Sequence, residues 1–343
     1  MMGRRVPMRM RPPAVLLALL FLTAAPLAWG TTPQGHWETL PEMPGARAEV
    51  TAAAVGGRIY VIGGVMEDFL PVVSGTEGRV DVYDVQTGEW HPGPSLPLAV
   101  NHAVALSVGE RIYVLGGYVG SLLFTPVATT WVLDASLPLE EQAWAPFVPL
   151  PAPRAAHAAA TDGHTLWVFG GIGEPGAISI GLPEAFHERT VLALALDAEV
   201  PAWEVLGLFP DVRDHLAGAY HDGKVYAVGG RDLQLHLLTG RMDVLDVATN
   251  TWSVGPAMPT RRAGIGAAVV DGRILVVGGE TSDRTFDETE SFDTELEAWT
   301  TLAPMPGGRH GVGVVAVGGA LYVEAGGPAP GYAFSASNLR LDP

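Results

Sequence analysis

The 343-residue chain contains no cysteine, and that absence closes several routes at once. Disulfides, thiolate metal sites and a lipid anchor on cysteine are excluded, so the fold must hold itself together by burial. Lysine is nearly missing too: arginine outnumbers it nineteen to one, a bias from which no function follows. Positive charge is scarce overall, with 20 Lys and Arg against 37 Asp and Glu. Such a surface repels nucleic acid and anionic membranes, and neither is expected as a partner. HExxH, P-loop, GxSxG and EF-hand patterns are absent, so no catalytic mechanism enters by motif.

Long apolar runs are also few. The one near the start, Ala14 to Ala25, follows Arg4, Arg5, Arg9 and Arg11 and precedes Pro26 and the small-x-small ending Ala28-Trp29-Gly30. That layout predicts an export signal over residues 1–30, cleaved after Gly30. The run is too short to span a bilayer comfortably, so no stable membrane insertion is expected after cleavage. Cleavage would remove four arginines and no acids, leaving 31–343 as a single domain with net charge −21. The expected location is periplasmic, cell-surface or extracellular.

Glycine (43) and proline (28) are abundant, yet 48% of the chain is hydrophobic. That combination reads as many tight turns between short buried strands. The phrase RIYVIGG (58–64) recurs as RIYVLGG (111–117), TLWVFGG (165–171), KVYAVGG (224–230) and RILVVGG (273–279), with a looser ALYVEAGG at 320–327. Taken from Gly63, Gly116, Gly170, Gly229, Gly278 and Gly326, the period is 53, 54, 59, 49 and 48 residues. Trp37, Trp90, Trp144, Trp203, Trp252 and Trp299 keep step, each followed by a proline-rich phrase. A period near fifty with two markers indicates a repeat architecture.

Each repeat reads as a four-stranded antiparallel unit. A small-residue first strand such as EVTAAAV (49–55) turns into the quoted phrase; a third strand ends at aspartate, as in RVDVYD (79–84); a fourth carries the tryptophan. Small side chains suit the crowded centre of radially arranged blades, and indoles fill the widening outside. One blade cannot bury both faces alone, so six phrases predict six blades. The opening strand, His36 to Leu40, lacks the first three of its repeat, and the last repeat, ending SNLRLD (337–342), lacks its fourth. Pairing them would close the ring and remove an open edge, with Trp37 packed in the sixth blade.

The glycine pairs and the aromatic-to-tryptophan spacing (Tyr83 to Trp90, Phe292 to Trp299) resemble the kelch family of β-propellers over residues 36–343. The resemblance implies an all-β six-bladed propeller whose ligands sit at the channel mouth. Sixteen residues before the glycine pairs stand Arg47, Arg154, Arg213 and Arg262, with Arg309 one further out; Val100-Asn101-His102 breaks the series. Equivalent positions on rotated blades would ring one mouth with guanidiniums, suited to bidentate capture of carboxylate or phosphate. The competing reading makes them loop braces, paired with acids such as Glu67, Glu174, Asp232 or Glu280. Kelch propellers include cases where arginines at this place contact ligands, which the resemblance carries over to Arg47, Arg154, Arg213, Arg262 and Arg309, with His102, Glu67 and Glu280 beside them.

His102, His157, His215 and His310 gather in the same segments, but only His102 and His215 share a register. They read as hydrogen-bonded groups lining a wet channel, and neither metal nor cofactor is expected. The acidic loops at 67–69 and 280–290 read as solvated, and the long loop at 172–190 as an insertion or a lid. Three functions fit: a monomeric binding module for a protein, carbohydrate or anionic small molecule; an envelope scaffold; or a sugar-modifying enzyme similar to the sialic acid mutarotases among exported bacterial kelch propellers. In the last, Arg213 or Arg262 would act with Glu67 or Glu280. Copper-radical oxidases share the fold, but their cysteine-linked tyrosine is impossible here.

Overall fold

The computed structural model describes residues 3, 34–67, 74–121, 124–173, 187–232 and 237–343. Six four-stranded antiparallel sheets follow one another along the chain. Their first strands are Thr51–Val55, Val104–Val108, Ala158–Thr161, Ala217–His221, Ala263–Val270 and Gly313–Val317. Each packs against its neighbours on both sides and the sixth against the first, so the six inner strands close around one channel. The expected six-bladed propeller is present. Among the described residues no helix is long and apolar enough to cross a membrane.

Residue size sets this arrangement. A Cβ on Gly218 would come within 2.5 Å of the Ala159 carbonyl of the preceding blade, and one on Gly266 within 2.2 Å of Val314 Cγ2 of the next. The inner strands approach too closely for larger side chains there. Further out, the second strands alternate their apolar side chains between two neighbours. Tyr60 and Ile62 face the second blade, while Ile59 and Val61 face the sixth. Each of the six blade interfaces thereby holds one apolar cluster.

The tryptophan and proline markers meet across those interfaces. The indole N–H of Trp37, Trp90, Trp144, Trp203 and Trp299 donates to a carbonyl in the proline-rich loop of the preceding blade: Ala303, Pro41, Pro94, Val148 and Pro256, at 2.7–3.2 Å. Trp252 instead stacks edgewise on Phe209 of the preceding loop, with centroids 5.3 Å apart.

Closure is as the register predicts. Strand His36–Thr39 pairs antiparallel with Asn338–Asp342, placing Trp37 opposite Leu341. Trp37 packs with Leu321, Val323 and Leu339 of the sixth blade.

The glycine pairs join blades rather than merely turning the chain. The second glycine donates its N–H to the carbonyl at the arginine position of the next blade: Gly64 to Val100, Gly117 to Arg154, Gly171 to Arg213, Gly230 to Arg262, Gly279 to Arg309 and Gly326 to Arg47, at 2.8–3.0 Å. This corrects the register of the sixth repeat. Its pair is Ala325-Gly326, with Ala325 at φ 60° in place of the first glycine. Arg309 is therefore sixteen residues from its partner position, like the others. Short hairpins that the repeat pattern did not predict also rise after three glycine pairs: Val65–Glu67 with Ser74–Thr76, Tyr118–Val119 with Thr125–Pro126, and Arg231–Asp232 with Leu237–Leu238.

Candidate functional site

Each blade enters its inner strand through the same three positions. The first is the arginine position. The second forms a backbone bridge to the residue after the glycine pair: Ala48 to Val65, Asn101 to Tyr118, Ala155 to Ile172, Asp214 to Arg231, Ala263 to Glu280, His310 to Gly327. The third is Glu49, His102, Ala156, His215, Gly264 or Gly311, all left-handed, with φ between 49° and 70°. Their amides and carbonyls form a collar around the axis. His102 donates to Glu49, Ala156 to His102, His215 to Ala156, Gly264 to His215 and Gly311 to Gly264, at 2.9–3.1 Å; the Val50 amide closes the ring on Gly311 at 3.4 Å.

The five arginines do not ring the mouth. Arg47, Arg154, Arg213 and Arg262 are at most 1% exposed and Arg309 is 7% exposed. Each turns back into its own blade. Arg47 reaches Asp81 at 2.6 Å and the Gly63 carbonyl at 2.9 Å. Arg213 reaches Asp243 at 2.6 Å and the Ala227 carbonyl at 3.0 Å. Arg154 pairs with Glu188 and Arg262 with Glu290, both at 3.2 Å. Arg309 contacts the hydroxyls of Ser337 and Ser335. Burial pushes the Arg47 and Arg154 guanidiniums down to about 10, against the pull of Asp81 and Glu188, and they stay charged. This is the geometry of braces. The acids that hold them lie on or just before the third strands rather than in the mouth loops, so Arg213 and Arg262 do not meet Glu280. Glu67 ends the first mouth hairpin, opposite Ser74; its side chain, Glu174 and most of the 172–190 loop lie outside the described residues.

His102 and Glu280 do reach the mouth, together with residues that the arginine series had overshadowed. Glu49 Oε2 is 3.2 Å from His102 Nε2, and Glu49 Oε1 is 3.4 Å from His310 Nε2. Glu280 Oε2 is 3.6 Å from His310 Nε2, and Glu280 Oε1 is 3.7 Å from Arg231 Nη1. Asp214, fully buried, accepts from His187 Nε2 at 2.9 Å, Arg231 Nε at 3.2 Å and His215 Nδ1. Burial opposes ionisation of Glu49, but His102, His310, His215 and Arg231 outweigh it and hold the carboxyl at about 2. Asp214 is lowered in the same way, against its burial, chiefly by His215 and His187. Burial pushes His102 down to about 4 despite Glu49, so its imidazole is neutral at pH 7. His157 stands apart from this cluster, buried near Arg154, and burial lowers it to about 3.

The collar separates two spaces. Below it lies the central channel, about 470 Å³, walled by the small residues of the inner strands. Above it is a mouth cavity of about 400 Å³, with Tyr118, Phe124, Tyr332 and Phe334 as walls and the Glu49–Arg231–Glu280 cluster as floor. Tyr332 is 72% exposed. A concave, aromatic-walled space with converging charged groups is the form a ligand site takes.

Comparison with known proteins agrees with this architecture. The KLHDC2/KLHL20/DRC7 Kelch-repeats domain model matches residues 101–327, and the Kelch motif model matches residues 46–97. The Kelch-like protein terF of Aspergillus terreus is 29% identical over 208 residues, 58% of this chain and 43% of the relative. Human Kelch-like protein 38 is 30% identical over 173 residues, 49% of this chain and 27% of the relative. The chain thus spans less than half the length of these relatives. The solved structure of YjhT superposes with a TM-score of 0.70 at 16% identity, covering 88% of this chain and 96% of that one, a likeness of fold. The chain belongs to the kelch-repeat family of β-propellers.

Proposed function

We propose that this propeller is a binding module that receives a segment of a partner protein on its mouth face. The mouth cavity carries the reading: exposed Tyr332 beside Phe124 and Phe334 offers an apolar anchor point, over a floor where Arg231 and Glu280 present polar contacts. Aromatic residues of this kind contribute large contact area at low conformational cost. The family supports the same reading, since kelch propellers generally bind proteins. The floor gathers three carboxylates, Glu49, Glu280 and Asp214, with one arginine, Arg231, already paired to two of them, which argues against capture of an anionic sugar by a free guanidinium. The arginine-rich, apolar opening of the sequence supports export, so the partner is sought outside the cytoplasm.

The test is selection of a displayed random-peptide library on the purified chain, followed by affinity measurement on Phe124→Ala and Tyr332→Ala. Loss of an anchor worth about 2 kcal/mol weakens binding by about 30-fold. Peptides that bind both variants as tightly as the parent would count against the mouth.

A further inference from the structure

We propose that the collar binds one divalent transition-metal ion through Glu49, His102 and His215. One carboxylate oxygen and one ring nitrogen from each histidine lie within 4.8 Å of one another. Two imidazoles and a carboxylate are a donor set suited to zinc, iron, cobalt or nickel.

The hydrogen bonds behind the histidines fix which nitrogen faces the site. Thr76 Oγ1 donates to the Gly120 carbonyl and therefore accepts from Asn101 Nδ2 at 2.7 Å. That orients Asn101 Oδ1 toward His102 Nδ1, 2.5 Å away, so the proton is on Nδ1. The ring's other nitrogen, Nε2, then faces Glu49 Oε2 at 3.2 Å. His215 repeats the arrangement two blades on, its Nδ1 bonded to the Asp214 carboxylate. His310 does so too, with Nδ1 3.2 Å from the Gly327 carbonyl and Nε2 facing both Glu49 and Glu280. A histidine whose outer nitrogen is held by an oxygen acceptor is the usual setting of a metal ligand. Arg231 Nη2 lies 3.4 Å from His215 Nδ1 and 3.3 Å from its Nε2. Nearly equidistant, it is off the in-plane lone pair of either.

Two ligand atoms at about 2.0–2.2 Å from one ion, separated by roughly 90–109°, are about 3.0–3.4 Å apart, which matches the Glu49–His102 distance. The acidic side chains agree: Glu49, Glu280 and Asp214 converge here with a single arginine, Arg231. Backbone strain agrees as well. Glu49, His102 and His215 hold φ of 53°, 50° and 51° at a position where the fifth and sixth blades carry glycine and the third carries Ala156, at 49°. Side chains kept at such positions cost about 1 kcal/mol or more each and concentrate at functional sites. With three protein ligands, the remaining coordination positions open toward the mouth cavity or the channel, both of which these residues line. The proposal is independent of the partner reading, because it concerns the apo collar alone.

The tag-free chain, stripped with chelator, is titrated with Zn²⁺ by calorimetry and with Co²⁺ by visible absorption. One equivalent should bind with a dissociation constant in the micromolar range or tighter, and Co²⁺ should show ligand-field bands. Glu49→Gln and His102→Ala should each weaken Zn²⁺ binding at least 100-fold, while circular dichroism and the apo melting temperature show whether each variant keeps its fold. Should His102→Ala fail to fold, Asn101→Ala is the second variant: it leaves all ligands in place, and its affinity should fall at least tenfold. No binding below millimolar Zn²⁺, or binding unchanged in folded Glu49→Gln, would overturn the site and leave a protonated ion-pair cluster.

Discussion

Arg213 Nη1 and Asp243 Oδ2 lie 2.6 Å apart, each with only 1% of its side chain exposed. The same relationship recurs in the first blade between Arg47 and Asp81, and in both blades a second arginine, Arg241 or Arg79, shares the aspartate. A buried pair of this kind contributes little against an apolar substitute, but breaking it strands a charge. Arg213→Ala should therefore destabilise by about 3 kcal/mol, lowering the melting temperature by roughly 4–6 °C. Arg213→Lys should recover little, since an ammonium cannot serve both Asp243 and the Ala227 carbonyl in the fork geometry. Thermal unfolding of the two variants checks this; wild-type melting in Arg213→Ala would contradict a bracing role.

The clasp between His36–Thr39 and Asn338–Asp342 predicts a second outcome. Deleting residues 1–40 should expose Asn338–Asp342 as an open edge and remove Trp37 from Leu321, Val323 and Leu339. The shortened chain should aggregate or form higher oligomers in size-exclusion chromatography, as unprotected edges do. Trp37→Phe, which loses the 2.8 Å bond to Ala303 and part of the indole's packing but keeps the strand and an aromatic ring, should stay soluble and lose about 1–3 kcal/mol.

Glu324 ends the sixth blade's second strand where those of the first four blades end in an apolar residue, Ile62, Leu115, Phe169 and Val228. It is fully buried, neither carboxylate oxygen has a hydrogen-bond partner among the described residues, and burial raises its carboxyl well above the ordinary range. The unfolded chain ionises this group near its ordinary value of about 4.3, while burial makes the folded chain hold the proton to higher pH. Its contribution to stability is thus present below that pH and is lost as pH rises toward the raised folded value. Glu324→Met should consequently be stabilising, by a margin that grows at up to about 1.4 kcal/mol per pH unit above pH 4.3. Urea unfolding of both proteins at pH 4.5 and 7.5 measures it. An equal margin at the two pH values would mean that Glu324 does not titrate in this way.

Much of the propeller is legible in the repeats because each marker has one physical job. Gly63 and its equivalents allow the close backbone joint, the tryptophans span to the preceding loop, and small inner strands admit close approach. The arginine series shows the limit of such reading. Spacing establishes that Arg47, Arg154, Arg213, Arg262 and Arg309 are equivalent, but equivalence does not say whether a side chain points to the axis or back into its blade. That direction depends on Asp81, Asp243 and Glu290, about thirty residues further on. His102 and His215 were correctly placed in one register. Glu49 was missed because one more acid in an acidic chain carries no signal by itself. Its signal is positional: two residues past the arginine, where Gly264 and Gly311 stand in other blades. Arg231 and Glu280 follow the glycine pairs, where Val65 and Ile172 stand elsewhere. The chemistry of the mouth is written where the repeat departs from its own consensus, and the loops at the same level vary too much in length to align by spacing.

The most direct measurement for the mouth as the working face is amide deuterium exchange with and without a library-selected peptide. The account predicts added protection in the mouth segments, above all 328–334 around Tyr332, and none along the exposed outer strand Trp203–Leu208, which carries Val205 and Leu208. Protection confined to that outer strand, with 328–334 unchanged, would contradict it.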